Sequence, residues 1–190
     1  MASTDVTLTE TARQGLAESE ERYALSAAGS NDGLWDWDLR RERIYLSPRW
    51  KEMLGLTDEE VSDNPVEWFS RIHPDDVARV TTQIDAHLAG KVPHFECEFR
   101  VRHADGTFLW MLTRGLAVRG PDGSAHRIAG SQTDITGRKQ AEQQLVHDAL
   151  HDALTGLANR TLFLDLVRRA LARLRKEPGA RFAVAFLDLD

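Results

Sequence analysis

The chain is short of three things. It has one cysteine, Cys97, in 190 residues, so no internal disulfide can brace it, and that usage fits a reducing compartment. No apolar run approaches the roughly 18 residues that a membrane-spanning helix needs, and the opening Met1-Ala2-Ser3-Thr4-Asp5 lacks the basic-then-apolar order of a secretory leader. Basic charge is also in deficit. Lys and Arg number 24 against 30 Asp and Glu, a formal net charge of −6, which argues against a general affinity for nucleic acid or anionic membrane. These deficits predict a cytoplasmic protein with no membrane segment and no nucleic-acid partner. What remains is ordinary globular material, 42% hydrophobic and 28% charged, with five Trp and seven Phe to supply a core. This length has room for one full domain and part of a second.

Four segments can be read. Residues 1–30 form a polar lead and a helix, with Leu16, Tyr23 and Leu25 on a thin stripe that Gly29 to Gly33 breaks. Residues 31–136 form the compact domain. Leu34 to Leu39 alternates apolar and polar, then turns into Arg43-Ile44-Tyr45-Leu46, a first hairpin. Short helical pieces follow: Pro48 to Leu54, a capping-box pattern at Thr57 and Glu60, and Val66 to Phe69. His73-Pro74-Asp75-Asp76 reads as the start of a longer helix, with proline where its missing N–H costs nothing and acids near the positive end of the dipole. Its stripe is Val77, Val80, Ile84 and Leu88. A meander completes the domain. Phe95, Cys97, Phe99 and Val101 alternate with charges, Asp105-Gly106 turns into Phe108, Trp110 and Leu112, and Pro121-Asp122-Gly123 leads to a strand over 125–135. One antiparallel sheet with helices on one face suits this order, an α+β class.

Residues 137–155 read as one continuous helix with Ala141, Leu145, Val146, Ala149 and Leu150 on its apolar face. It could pair with a second copy or act as a spacer. Residues 156–190 begin a second unit: Leu162, Phe163, Leu166, Val167, Ala170, Leu171 and Leu174 make a broad stripe, with Asn159 or Thr161 as its N-cap. A strand apolar on both faces follows over 182–187. Counted from His151, these 40 residues fall below the roughly 50 of an independent domain. The strand delivers Asp188 and Asp190 to a sheet rim, where carboxylates commonly hold Mg²⁺ beside substrate phosphates.

Two resemblances follow from motifs. Trp35 to Asp38, Ser47 to Trp50, Met53 to Gly55, His73 to Asp76, Phe99 to Arg102, Asp105 to Thr107, Arg114-Gly115 and Asp134 to Thr136 stand in the order of a PAS domain. The resemblance implies a five-stranded antiparallel sheet over a small cavity. Asp152-x-Leu154-Thr155-Gly156-Leu157-x-Asn159-Arg160, a helix and Asp188-Leu189-Asp190 resemble the opening of a GGDEF domain, the module that makes cyclic di-GMP from two GTP. The Gly-Gly-Asp-Glu-Phe loop itself does not occur in the chain, so an incomplete GGDEF remnant is expected, and no catalytic residue within it. The family implies Mg²⁺ held by the Asp188 carboxylate and the Leu189 backbone carbonyl, GTP as substrate, and a homodimer formed through the PAS domain and the signalling helix. Thr161-Leu162-Phe163 with Phe186 to Asp190 also resembles the variant fused to an EAL phosphodiesterase domain. The output could then be phosphodiesterase, or a degenerate GTP-binding regulator.

Within the PAS segment, Trp35, Trp37, Trp50, Met53, Trp68 and Trp110, with Met111, are candidates to line a ligand cavity, or else plain core. The ligand is not identifiable. The Asn-Cys-Arg-Phe string of flavin photosensors is missing, with Cys97 on a strand. His87 reads as solvent-facing near a helix end, so haem is not expected. His73, Asp75 and Asp76 are explained by the helix start, and His147 with His151 lacks a third zinc ligand. Asp134 and Thr136, where sheet becomes helix, are expected to cap that helix and transmit the signal.

Overall fold

Period-two patterning builds the sheet. Strands β1 (Gly33–Asp38) and β2 (Arg43–Leu46) form the first hairpin, and β3 (Phe95–Arg102), β4 (Phe108–Arg119) and β5 (Ala125–Asp134) the meander. All five join one antiparallel sheet in the order β2-β1-β5-β4-β3. The computed structural model describes residues 31–177, 179 and 181–185; the helix expected within 1–30 lies outside them. The chain divides into two compact units, Met1–Gly137 and Arg138–Asp190.

Between β2 and β3 run α1 (Pro48–Met53), a 3₁₀ turn (Asp58–Glu60), α2 (Val66–Ser70) and α3 (Pro74–Leu88). Each start has a local cause. The Ser47 hydroxyl accepts from the Trp50 N–H at 3.3 Å and from the Leu34 N–H at 2.8 Å, capping α1 and tying it to β1. The Thr57 N–H donates to the Glu60 carboxylate at 2.8 Å. Helix-borne Trp50, Trp68, Val80 and Ile84, with Leu54 just past the end of α1, then enter one core with strand-borne Trp35, Phe95, Phe99, Met111 and Ile128.

A single row across the sheet sets that core's floor. Leu46, Trp35, Gly130, Gly115 and Phe95 are successive cross-strand partners. Neither glycine has a side chain to occupy the inner face, so the Trp35 indole lies across them and meets Phe95 edge-on at 6.4 Å. A Cβ on Gly115 would sit 2.7 Å from the indole Cη2, and one on Gly130 1.8 Å from the Arg114 carbonyl oxygen. Trp35 also packs on Trp68 at 6.2 Å, and Trp68 on Phe99 at 5.4 Å.

Three expectations about facing are overturned. Trp110 does not belong to the interior. Cross-strand partners share a face, and Met111 pairs with inward Phe99 while Trp110 pairs with outward Arg100. Leu109, Met111 and Thr113 are therefore the inward residues of β4. On α3 the buried positions are Asp76, Val80, Ile84 and His87, with Val77 exposed. His87 is thus buried, not solvent-facing. Its Nε2 accepts from the Ala117 N–H at 2.9 Å, which leaves Nδ1 to donate to the Val92 carbonyl at 3.0 Å. Both ring nitrogens are committed to the backbone.

Asp76 locks α3 to the sheet's edge strand. Its carboxylate accepts from the Arg100 backbone N–H at 3.0 Å, from Arg100 Nε at 2.9 Å and from Arg79 Nη2 at 3.1 Å. Burial alone would raise this carboxyl's pKa. The hydrogen bonds from Arg100 and Arg79 outweigh that and bring it down to about 2.

In the second unit the helix expected over 137–155 is shorter: α4 runs Thr136–Leu150. Asp152 stops it. Its carboxylate accepts from the Leu154 and Thr155 N–H groups and the Thr155 hydroxyl, at 3.2, 2.9 and 2.8 Å. Such local side-chain bonding competes with helix propagation. Asn159 then serves two helix ends. Its Oδ1 accepts from Thr161 and Leu162 N–H groups to start α5 (Arg160–Leu174), and its Nδ2 donates to the Ala149 carbonyl at 2.8 Å. The strand expected over 182–187 is unpaired at 182–185. Among the described residues it has no partner strand, and a lone strand cannot satisfy its backbone.

Two outcomes follow. Gly115→Ala should lower the unfolding free energy by about 1–3 kcal/mol, because the indole must shift in a packed core; a chemical denaturation midpoint unchanged from wild type would contradict the glycine floor. For Asp76, the folded pKa of about 2 lies below the unfolded value of about 3.9. Its stabilisation is therefore full above about pH 5 and lost as pH falls toward 2. Asp76→Asn should cost about 2–4 kcal/mol at neutral pH, and the gap to wild type should close on acidification. A gap that is constant from pH 6 to pH 2.5 would show that the ionised carboxylate is not what matters.

Candidate functional site

Six of the seven residues expected around a cavity, Met111 among them, share one interior. Trp35, Trp50 and Trp68 are buried in the core, and Trp37 and Met53 pack against it; Trp110 is excluded by strand register. The interior is not purely apolar. Gln132, fully buried on β5, accepts at Oε1 from Trp68 Nε1 at 3.2 Å and from the Thr113 hydroxyl at 3.1 Å. Those two donors fix the amide's orientation, since the nitrogen could not accept either. Its Nε2 has no partner within the protein, and neither do the indole nitrogens of Trp50 and Trp37. Buried donors are normally paired; these three nitrogens, one amide and two indole, are left without a protein partner in or beside this core.

The sheet's exit is the second feature. The Asp134 Oδ1 accepts from the N–H of Thr136, the first residue of α4, at 2.8 Å. Thr136 does something the spacing did not indicate. Its hydroxyl accepts from the Trp110 N–H at 2.9 Å, while the Trp110 carbonyl accepts from the Ile135 N–H at 2.9 Å. Consecutive residues thus grip both backbone groups of one β4 residue at the point where α4 begins.

Elsewhere, Arg79 Nη1 lies 2.9 Å from Cys97 Sγ, yet burial pushes that thiol's pKa up, away from the thiolate. The His147 and His151 rings stack at 4.0 Å, and His151 Nδ1 reaches the His147 carbonyl at 2.9 Å. Among the described residues no three His, Cys, Asp or Glu side chains converge on a metal-sized site. Asp188, Leu189 and Asp190 lie outside the described residues.

Sequence reasoning missed Gln132 and the role of Asp76. Parity along β5 was the available signal for the first, because Ile128, Gly130 and Gln132 share the inner face. For Asp76 no local signal existed. Its partner Arg100 is 24 residues away, on a strand face that reads as simply wet.

Residues 43–132 match the family model described as PAS fold, and residues 149–190 match that of the diguanylate cyclase GGDEF domain. A solved sensory box histidine kinase/response regulator from Burkholderia thailandensis is 34% identical, with 78% of this chain and 98% of that chain covered at a TM-score of 0.59. An uncharacterized protein of Sinorhizobium fredii is 31% identical over 93% of this chain and 22% of its own length. A probable diguanylate cyclase of Escherichia coli is 26% identical over 78% of this chain and 13% of its own. The chain spans about a fifth or less of these two curated relatives' lengths. No helix among the described residues is long and apolar enough to cross a membrane. The fold, the motif order and the 34% identical structure agree: the chain belongs to the PAS family and carries a GGDEF-family segment over residues 149–190.

Proposed function

We propose that this chain is the input and coupling part of a cytoplasmic signalling protein, in which the PAS domain regulates a GGDEF output that makes cyclic di-GMP from two GTP. The observation that carries the reading is the order within one chain. A PAS sheet ends in Asp134-Ile135-Thr136, Thr136 opens α4, and α4 leads into the GGDEF motif. Asp134 and Thr136 transmit the state of the sheet to α4. Trp35, Trp37, Trp50, Met53 and Trp68, with the unpaired amide nitrogen of Gln132, receive whatever small acceptor-bearing molecule the domain senses. Such a molecule shifts the output only by favouring one arrangement over another.

Joining two GTP requires two GGDEF subunits face to face, so the protein acts as a homodimer assembled through the PAS domain and α4. Exposed Leu145 and Val146 on α4 are in keeping with pairing. In the GGDEF part, the Asp188 carboxylate and the Leu189 carbonyl would hold Mg²⁺; an all-oxygen donor set suits that hard cation, which would supply charge neutralisation at the phosphates. A second reading has the parent protein degrade cyclic di-GMP through an EAL domain, with the GGDEF part a GTP-binding regulator. The Thr161-Leu162-Phe163 pattern favours it.

The full-length protein incubated with GTP and Mg²⁺ should release cyclic di-GMP, and Asp188→Asn should reduce that rate by more than about a hundredfold, the loss of several kcal/mol of charge stabilisation. Hydrolysis of added cyclic di-GMP without synthesis would replace the cyclase reading with the phosphodiesterase one.

A further inference from the structure

A continuous line of contacts runs from the first turn of α3 to the first residue of α4. Asp76 holds the Arg100 guanidinium through Nε at 2.9 Å and Nη2 at 3.3 Å. Two bonds from a rigid planar fork fix the plane as well as the position of that group. Arg100 and Trp110 are cross-strand partners, and the guanidinium carbon stands 5.6 Å from the centroid of the Trp110 ring. A cation over an indole is attracted by the ring quadrupole, more strongly where partly desolvated; the Arg100 side chain is 28% exposed. The Trp110 main chain then makes both contacts with the sheet exit, to the Thr136 hydroxyl and the Ile135 N–H. On its other side α3 enters the core through Val80 and Ile84.

We propose that Arg100 is a positioning residue that couples α3 to α4: a shift of α3 moves the Asp76–Arg100 pair, releases the Trp110 ring and loosens the grip of that residue's backbone on Thr136. The device reads the interior from outside it. A change in core occupancy that displaces Val80 or Ile84 reaches the helix start along the sheet's outer face. This rests on α4 carrying the PAS state to an output, and it names the residues that do so beyond Asp134 and Thr136.

Amide hydrogen exchange on the 190-residue chain tests it, with two variants. Arg100→Met keeps the length and removes the charge over the indole. Trp110→Leu leaves the Arg100–Asp76 pair intact and removes only the ring, on an outer, half-exposed position where folding is safe. Both should speed exchange at Gln140 and Ala141, whose N–H groups close the first turn of α4, by about tenfold. The β1–β2 hairpin should stay within about twofold in Trp110→Leu, and in Arg100→Met should be accelerated less than the helix. Equal acceleration in helix and hairpin would reduce Arg100 to a general stabiliser and overturn the coupling, as would unchanged exchange at Gln140. If Arg100→Met does not fold, Trp110→Leu decides alone. Exchange is measured without any output. A full-length protein that makes no cyclic di-GMP, yet whose variants loosen α4 selectively, would refute the cyclase reading and leave the coupling standing. A working cyclase with unaltered exchange would do the reverse.

Discussion

The Trp35 indole lying over Gly130 and Gly115 is the contact on which the domain is organised. A five-stranded sheet normally fills its inner face with one side chain per strand. Here two of five positions in one row are empty, and a single aromatic from β1 spans them to reach Phe95 on the far edge. The remaining interior is arranged around that ring. Trp68 from α2 packs on it, Phe99 packs on Trp68, and Trp37 reaches the same cluster through Phe69 at 5.7 Å. Aromatic pairs of this geometry each add about 0.5–1.5 kcal/mol beyond area burial. The arrangement also explains why polar atoms are tolerated so deep. Gln132 bridges Trp68 to Thr113, joining α2, β5 and β4 in one hydrogen-bonded unit.

The sheet's edge is managed by charge. β3 is an outermost strand, and an exposed edge invites pairing with another chain. Asp76 takes the Arg100 N–H, Arg79 donates to the Glu98 carbonyl at 3.0 Å, and the Arg71 carbonyl accepts from the Arg102 N–H at 2.8 Å. The partly buried Asp76–Arg100 pair thus holds a helix on that edge and places a guanidinium over Trp110.

The second unit obeys different rules. Its helix ends are specified by nearby residues: Asp152 within three positions, Asn159 within ten. Its apolar faces are not yet matched. Phe163, Leu166 and Leu171 on α5 remain substantially exposed, although their spacing is that of a core-facing stripe. Local chemistry suffices to start and stop helices, but burial needs a partner surface.

Strand alternation, the Pro74 helix start, the Thr57–Glu60 box, a cap at Asn159 or Thr161 and both motif sets were legible in the amino-acid order, because each depends on residues within a few positions of one another. That was enough for the fold class, the antiparallel sheet and the PAS-then-GGDEF organisation. Facing and long-range pairing were not. Trp110 and Met111 are equally apolar neighbours, and only the β3–β4 register turns one in and the other out. His87 looked like a helix-end surface residue until β4 brought the Ala117 N–H to its ring. Asp76 looked like a dipole-favoured acid until Arg100 arrived from the edge strand. Local sequence determined which elements form; tertiary structure decided what each side chain meets, since that depends on which strand the pleat and the pairing place opposite it.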